Sequence, residues 1–293
     1  MMPDNPKTKI FLDSGDPNET REIIKVLGFL DGQTTNPTLI SKNPDAKKRL
    51  EKGEKFTKDE IISFYKSVVQ DVSPLIPNGS VSVEVYADKS TSAEQMIKEG
   101  KEMFSWVPNA HIKYPTTKAG LISVQKSVRK EMRVNMTLCF TQEQAAAVYA
   151  ASEGAKKGQV FVSPFVGRLD DRGENGMDLI KNIIDMYKEG DGHVEVLAAS
   201  IRSMDHFLYS LKLGCDIITA PFKILKEWGQ KGMPMPTEDF IYKTSLSPIP
   251  YQQIDLNRVR LGLNKPWQQY NIYDELTDKG MERFSSDWNA LVV

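Results

Sequence analysis

Eight short β-branched runs, alternating with longer amphipathic stretches, set the narrowest limit on what this chain can fold into. The runs are Lys9–Asp13, Gly32–Asn36, Val81–Tyr86, His111–Tyr114, Arg133–Phe140, Gln159–Pro164, Val194–Ser200 and Cys215–Ala220. Between them lie Glu19–Phe29, Lys58–Val72, Ser92–Trp106, Thr117–Glu131, Gln142–Gly154, Gly176–Tyr187 and Ser203–Lys212, which read as helices. Apolar runs of strand length separated by helices specify βα units around a parallel sheet buried on both faces. The punctuation agrees: Thr141 and Ser203 stand at N-cap positions, Gln144 completes a capping box with Thr141, and Gly154 and Gly214 stand where helices stop.

No Gly/Ser/Pro-rich break interrupts the eight units, which favours one closed (β/α)₈ TIM barrel of the α/β class over two separate α/β domains. The alternative is an open doubly wound sheet, which normally carries G-x-G-x-x-G after its first strand. Here that strand runs into Asp13-Ser14-Gly15-Asp16-Pro17. The barrel is expected over residues 1–235 and a C-terminal helical extension over 236–293. Within Asp274–Leu291, the residues Leu276, Met281, Phe284, Trp288 and Leu291 recur close to helical spacing. Lys42–Lys58, with seven Lys/Arg against three Asp/Glu, reads as solvated surface.

Composition excludes several partners. With 38 Lys+Arg against 39 Asp+Glu the net charge is −1, which provides no field for nucleic acid or an anionic membrane. Two cysteines, Cys139 and Cys215, are too few for a disulfide framework and sit in apolar runs, so buried thiols in a reducing compartment are expected. Met1–Asn18 lacks the apolar core of a signal peptide, and no stretch approaches the roughly 18 apolar residues of a membrane span. The expected location is the cytoplasm; self-association is left open.

In such a barrel, chemistry sits at the C-terminal strand ends. Read in order, the polar residues there are Asp13, Asn36, Glu84, Lys113, Asn135 with Thr137, Ser163, and Ser200 with Arg202. Lys113, inside His111-Ile112-Lys113-Tyr114-Pro115, is the sharpest. A strand lysine must be buried with partners or snorkel outward, and a desolvated amine is a competent Schiff-base nucleophile. Asp13 and Glu84 could share the proton transfers that imine chemistry needs. Two carboxylates also serve glycoside hydrolysis, which would leave the lysine unexplained. Arg168 and Arg202 follow strands six and seven, and Arg202 precedes a helix start, a good place for a phosphate; the plainer reading pairs each with Asp170, Asp171 or Asp205. His111, His193 and His206 show no metal-ligand spacing, and the lysine route needs no metal or other cofactor.

These residues resemble the transaldolase family of Schiff-base aldolases. The matching pieces, in family order, are Phe11–Asp16, Thr34–Ile40, Val81–Val85, His111–Thr116, Val134–Leu138, Ser163–Asp171, Ala199–Arg202 and Gly214–Pro221. The resemblance implies a (β/α)₈ barrel in which Lys113 forms the imine and Asp13 is the acid/base at the C4 hydroxyl. It further implies that Glu84 with Thr137 activates the water of imine formation and hydrolysis. Asn36 and Asn135 would hold hydroxyls, Ser163 the dihydroxyacetone end, and Arg168, Ser200 and Arg202 the phosphate of a ketose or aldose phosphate. The family forks into transaldolases, with Glu and Phe at positions 84 and 165, and fructose-6-phosphate aldolases, with Gln and Tyr; Glu84 and Phe165 are the transfer pair. A sugar-phosphate-binding barrel without turnover is the remaining alternative. Gln33 and Tyr114 depart from the family pattern beside the site, and Pro44–Pro77 matches no recognised motif.

Overall fold

The computed structural model describes residues 6–256 and 266–293. Residues 1–5 of the N-terminal stretch and residues 257–265 of the expected extension lie outside the described residues. Eight parallel strands close into a barrel in chain order: β1 (Lys9–Asp13), β2 (Gly32–Thr34), β3 (Ser80–Glu84), β4 (Ala110–Pro115), β5 (Val134–Cys139), β6 (Val160–Pro164), β7 (Val194–Ala198) and β8 (Ile217–Pro221). Closure comes from β8 pairing with β1, Lys9 opposite Ile217 through Asp13 opposite Pro221. The expected TIM barrel is therefore the observed fold.

The helices that cover the barrel include α1 (Pro17–Leu27), α4 (Lys58–Val72), α5 (Ala93–Phe104), α6 (Lys118–Val128), α7 (Gln142–Ala151), α9 (Gly176–Tyr187) and α10 (Met204–Lys212), all within two residues of the expected spans except at the C-terminal ends of α6 and α7. Those two expected ends fail for a local reason. Glu131 and Gly154 both adopt positive φ, which a helix cannot continue. Four helices were not expected: α2 (Pro37–Ser41), α3 (Pro44–Glu51), α8 (Val166–Asp171) and α11 (Phe222–Gln230). Three of them are too short to show a period. Asn36 and Asn43 cap α2 and α3, each followed by proline at the first helical position, which is a legible start signal.

Alternation along the strands builds both sides of the barrel wall. Val81, Val83 and Val85 pack in the outer core, whereas Ser82 and Glu84 make their contacts inside the barrel. Inside, Phe11, Phe161, Leu197 and Ile217 form a separate apolar cluster, with Phe11 edge-on to Phe161 at 6.1 Å. This plug fills the barrel beneath the strand ends and leaves the polar layer above it as the floor of a cavity. Past β8, regular helix among the described residues of 236–293 is confined to a turn at Trp267–Gln269 and the C-terminal helix Glu275–Asn289. That helix packs on α2 and β5 and buries Gly280, Met281, Phe284 and Trp288. Among the described residues no helix is long and apolar enough to cross a membrane.

Candidate functional site

Register brings the chemistry together. Glu84 on β3 lies opposite Lys113 on β4, which lies opposite Asn135 on β5, so three polar side chains share one layer of the interior. Lys113 and Glu84 are only 3% and 5% exposed, and their charged atoms meet at 2.8 Å. Lys113 Nζ also donates to the Thr35 carbonyl at 3.0 Å. Buried charges survive only when paired in this way. Across the barrel, Asp13 accepts from the Thr34 hydroxyl at 2.7 Å, and Thr34 in turn meets Thr219 at 2.6 Å. Burial pushes both the Asp13 and the Glu84 carboxyls above the usual carboxylate range; Lys113 opposes that shift at each.

A cavity of about 280 Å³ opens above this layer. Of the residues expected at the site, Asp13, Asn36, Lys113, Thr137, Ser163, Phe165, Arg168, Ser200 and Arg202 line it. Glu84 and Asn135 stand behind the wall. Glu84 reaches the cavity through Lys113, and Asn135 through Ser163, whose hydroxyl donates to Asn135 Oδ1 at 2.6 Å while Asn135 Nδ2 donates to Ser82 at 3.1 Å. Thr137 Oγ1 is buried with no hydrogen-bond partner among the described residues, and Thr137 lines the same cavity as Lys113. Asn36 is partly committed elsewhere, because its Oδ1 caps α2 through the Leu39 N–H at 2.9 Å.

The mouth is cationic. Arg202 forms a bidentate ion pair with Asp171, the plainer pairing anticipated for it, yet both residues line the cavity. The Asp171 hydrogen bonds hold the Arg202 guanidinium well charged. Arg202 lies across Gly167, where a Cβ would stand 2.3 Å from its Nε, so only glycine admits this path. Ser200 takes φ 57°, which ends β7 and turns the chain toward Arg202. Arg168 has no carboxylate within ion-pair distance among the described residues, and its charge is opposed by burial, by Arg283 and by Arg202.

Sequence reasoning missed Arg283, Lys42 and Thr219, all of which line the cavity. Thr219 lies on β8 and was legible by the strand-end rule. Lys42 ends α2 and belongs to the run read as solvated surface, part of which forms α3. Arg283 comes from the C-terminal helix, where nothing in the strand pattern points. The two departures from the family pattern face away from the cavity. Tyr114 turns outward, donating to or accepting from Ser127 at 3.2 Å, and Gly100 of α5 makes room for its hydroxyl. Gln33 bridges Thr20 and the Ser14 carbonyl. The three histidines are also elsewhere: His111 stacks on Phe161 below the plug, pushed down to about 3 by burial, His193 contacts Ser152 and Asp191, and His206 meets Asp170 at 3.1 Å.

Comparisons with known proteins bear on the family of the whole chain. The family described as "Transaldolase/Fructose-6-phosphate aldolase" matches residues 10–292. The probable transaldolase of Dehalococcoides mccartyi is 40% identical over 222 residues, covering 76% of this chain and 90% of that protein. That of Roseiflexus sp. is 37% identical over 282 residues, covering 96% and 97%, and that of Bdellovibrio bacteriovorus is 35% identical over 281 residues, again 96% and 97%. With its full barrel and its C-terminal helix inside the matched span, the chain belongs to the transaldolase/fructose-6-phosphate aldolase family.

Proposed function

We propose that the chain is a transaldolase that moves a dihydroxyacetone unit between sugar phosphates, for example from sedoheptulose 7-phosphate to glyceraldehyde 3-phosphate, through an imine on Lys113. The observation that carries this reading is the buried Lys113 ammonium, 2.8 Å from Glu84 and in one cavity with Asp13. In the proposed cycle, Glu84 takes a proton from the Lys113 ammonium, the neutral amine attacks the ketose C2, and Glu84 with Thr137 returns the proton to the carbinolamine hydroxyl, which leaves as water to give the iminium. Asp13 then takes the C4 hydroxyl proton, the C3–C4 bond breaks, and its electron pair moves through C3 toward the imine nitrogen to give an enamine and a free aldose phosphate. An acceptor aldehyde is attacked by C3, its oxygen takes the proton back from Asp13, and water hydrolyses the imine. The lysine supplies the electron sink.

Ser163, oriented by Asn135 from behind the wall, suits the dihydroxyacetone hydroxyls, Asn36 a further hydroxyl, and Arg168, Ser200 and Arg202 the phosphate at the mouth. Phe165 supports transfer over release: its ring packs on Phe140 at 5.8 Å and brings no hydroxyl that could hold a hydrolytic water over the enamine. Both described cysteines are buried and unpaired, which supports a reducing, cytoplasmic setting. Borohydride reduction with fructose 6-phosphate should fix a three-carbon fragment on Lys113, read by peptide mass. An unlabelled Lys113 would overturn the mechanism, and rapid release of dihydroxyacetone without an acceptor would reassign the enzyme as an aldolase.

A further inference from the structure

The long segment between β2 and β3 carries α4, and α4 buries a phenol behind the proposed site. Tyr65 is fully buried, its ring edge-on to Trp106 at 5.8 Å and tilted against Trp288 of the C-terminal helix at 5.9 Å. The hydrogen bonds of its hydroxyl run in one direction. The Glu84 N–H donates to Tyr65 Oη at 2.9 Å, which leaves the phenol proton to be donated to Thr35 Oγ1 at 2.5 Å. The Thr35 hydroxyl proton then goes to the Ser82 carbonyl at 2.7 Å. Burial holds the phenol above its ordinary range, so this proton stays on Tyr65 at any working pH.

Two residues of the relay, Glu84 and Thr35, also touch Lys113. The Glu84 carboxylate lies 2.8 Å from Nζ and the Thr35 carbonyl accepts from Nζ at 3.0 Å. The two groups that hold the amine therefore belong to residues tied to one oxygen. We infer that Tyr65 is a positioning residue for Lys113, locking the Thr35 and Glu84 backbones so that the amine meets the substrate carbonyl in a fixed direction. This rests on the reading of Lys113 as the imine-forming lysine. Tyr65 does not line the cavity, so it should govern the rate of attack and leave substrate affinity alone. The charged groups near the relay are Glu84 and Asp13 around Lys113, and Glu84 and Glu99 around Tyr65.

The test compares wild type with Tyr65→Phe, Thr35→Val, Thr35→Ser and the Tyr65→Phe/Thr35→Val double variant, by steady-state kinetics with fructose 6-phosphate and by the rate of borohydride trapping at Lys113. Misplacing a reacting group by a fraction of an ångström lowers kcat and the trapping rate about ten- to a hundredfold, the loss expected for Tyr65→Phe and Thr35→Val. KM should stay within about twofold of wild type, since no ground-state contact is removed. Thr35→Ser keeps the relay and should behave like wild type, and the double variant should be no slower than the worse single one. A lowered Tm with unchanged kcat and trapping would overturn the inference, as would losses that multiply in the double variant. If Tyr65→Phe does not fold, equal rates for Thr35→Val and Thr35→Ser overturn it instead. Wild type that is never trapped at Lys113 sinks the proposed mechanism itself; wild type trapped normally beside an unaffected Tyr65→Phe sinks only the positioning role.

Discussion

Lys113 balances the buried charge at the end of the barrel: one ammonium faces two carboxylates, Glu84 at 2.8 Å and Asp13 across the cavity. Replacing it with methionine removes the nucleophile but keeps most of the side-chain volume. Lys113→Met should fold, lack transfer activity and take no borohydride label. Its stability should respond to pH in a particular direction. Both carboxyls already have folded-state pKa values raised by burial, and removing the cation that opposes the shift raises them further. A carboxyl with a raised folded pKa favours the folded state at low pH and loses that advantage as pH rises through the folded pKa. The Tm of Lys113→Met should therefore fall more steeply than that of wild type between pH 5 and pH 8, by thermal melts in matched buffers; parallel curves would refute the charge balance. The mouth makes a second residue-scale case. Arg202→Ala should weaken phosphorylated substrates by about 1–3 kcal/mol, the worth of a charge-assisted hydrogen bond, and leave glyceraldehyde untouched. Equal losses for both substrates would refute the phosphate role. Most of this layer was legible because strand-end polar residues inside apolar runs have few bland explanations. Arg283 was not legible, since a helix far beyond the last strand carries no rule that aims it at the barrel axis.

At the scale of elements, the C-terminal helix does more than cover the barrel. The Thr277 hydroxyl donates to the Leu138 carbonyl at 3.0 Å, and Leu138 sits at φ 59° within an irregularity of β5 directly after Thr137. A non-glycine residue there is strained and stays only where its surroundings hold it. The helix supplies that hold, and Gly280 gives the Leu138 side chain its space: a Cβ at Gly280 would stand 2.6 Å from Leu138 Cδ2. Thr38 of α2 bonds Asp287, and Asn289 reaches Tyr86 at 3.2 Å, so the same helix also ties the loops after β2 and β3. Gly280→Ala should cost about 1–3 kcal/mol through overpacking and should shift Arg283 at the cavity mouth. The expected result is a lower Tm together with a higher KM for phosphorylated acceptors; a lower Tm with unchanged KM would separate the helix from the site. Periodicity in Asp274–Leu291 made the helix readable, but Leu276 proves only partly buried while Thr277 and Gly280 are buried. A small or polar residue chosen to fit a strained bulge carries no hydrophobic signal.

For the molecule as a whole, the barrel keeps its polar chemistry at one end by sealing the interior below it with Phe11, Phe161, Leu197 and Ile217. The strand-end rule makes the polar end readable, whereas the apolar layer beneath it lies in runs that do not show which residues point inward. What it could not show is how far burial reaches around the site. Glu99 on α5 accepts the Tyr86 N–H at 3.0 Å, just past Glu84, and its carboxyl is pushed up to about 7, chiefly by desolvation, against an ordinary value of 4.5. Its folded pKa is raised, so the stability it contributes is complete below about 4.5 and is lost as pH rises to about 7. A half-buried carboxyl with no ion-pair partner among the described residues should cost the fold on the order of 1–3 kcal/mol when it ionises over that window. Glu99→Gln keeps an acceptor for Tyr86 and cannot ionise. Chemical denaturation at pH 5 and pH 8 should find the variant close to wild type at the lower pH and more stable than wild type at the higher one. An advantage of equal size at both pH values would show that volume or packing, rather than ionisation, sets the cost at this position.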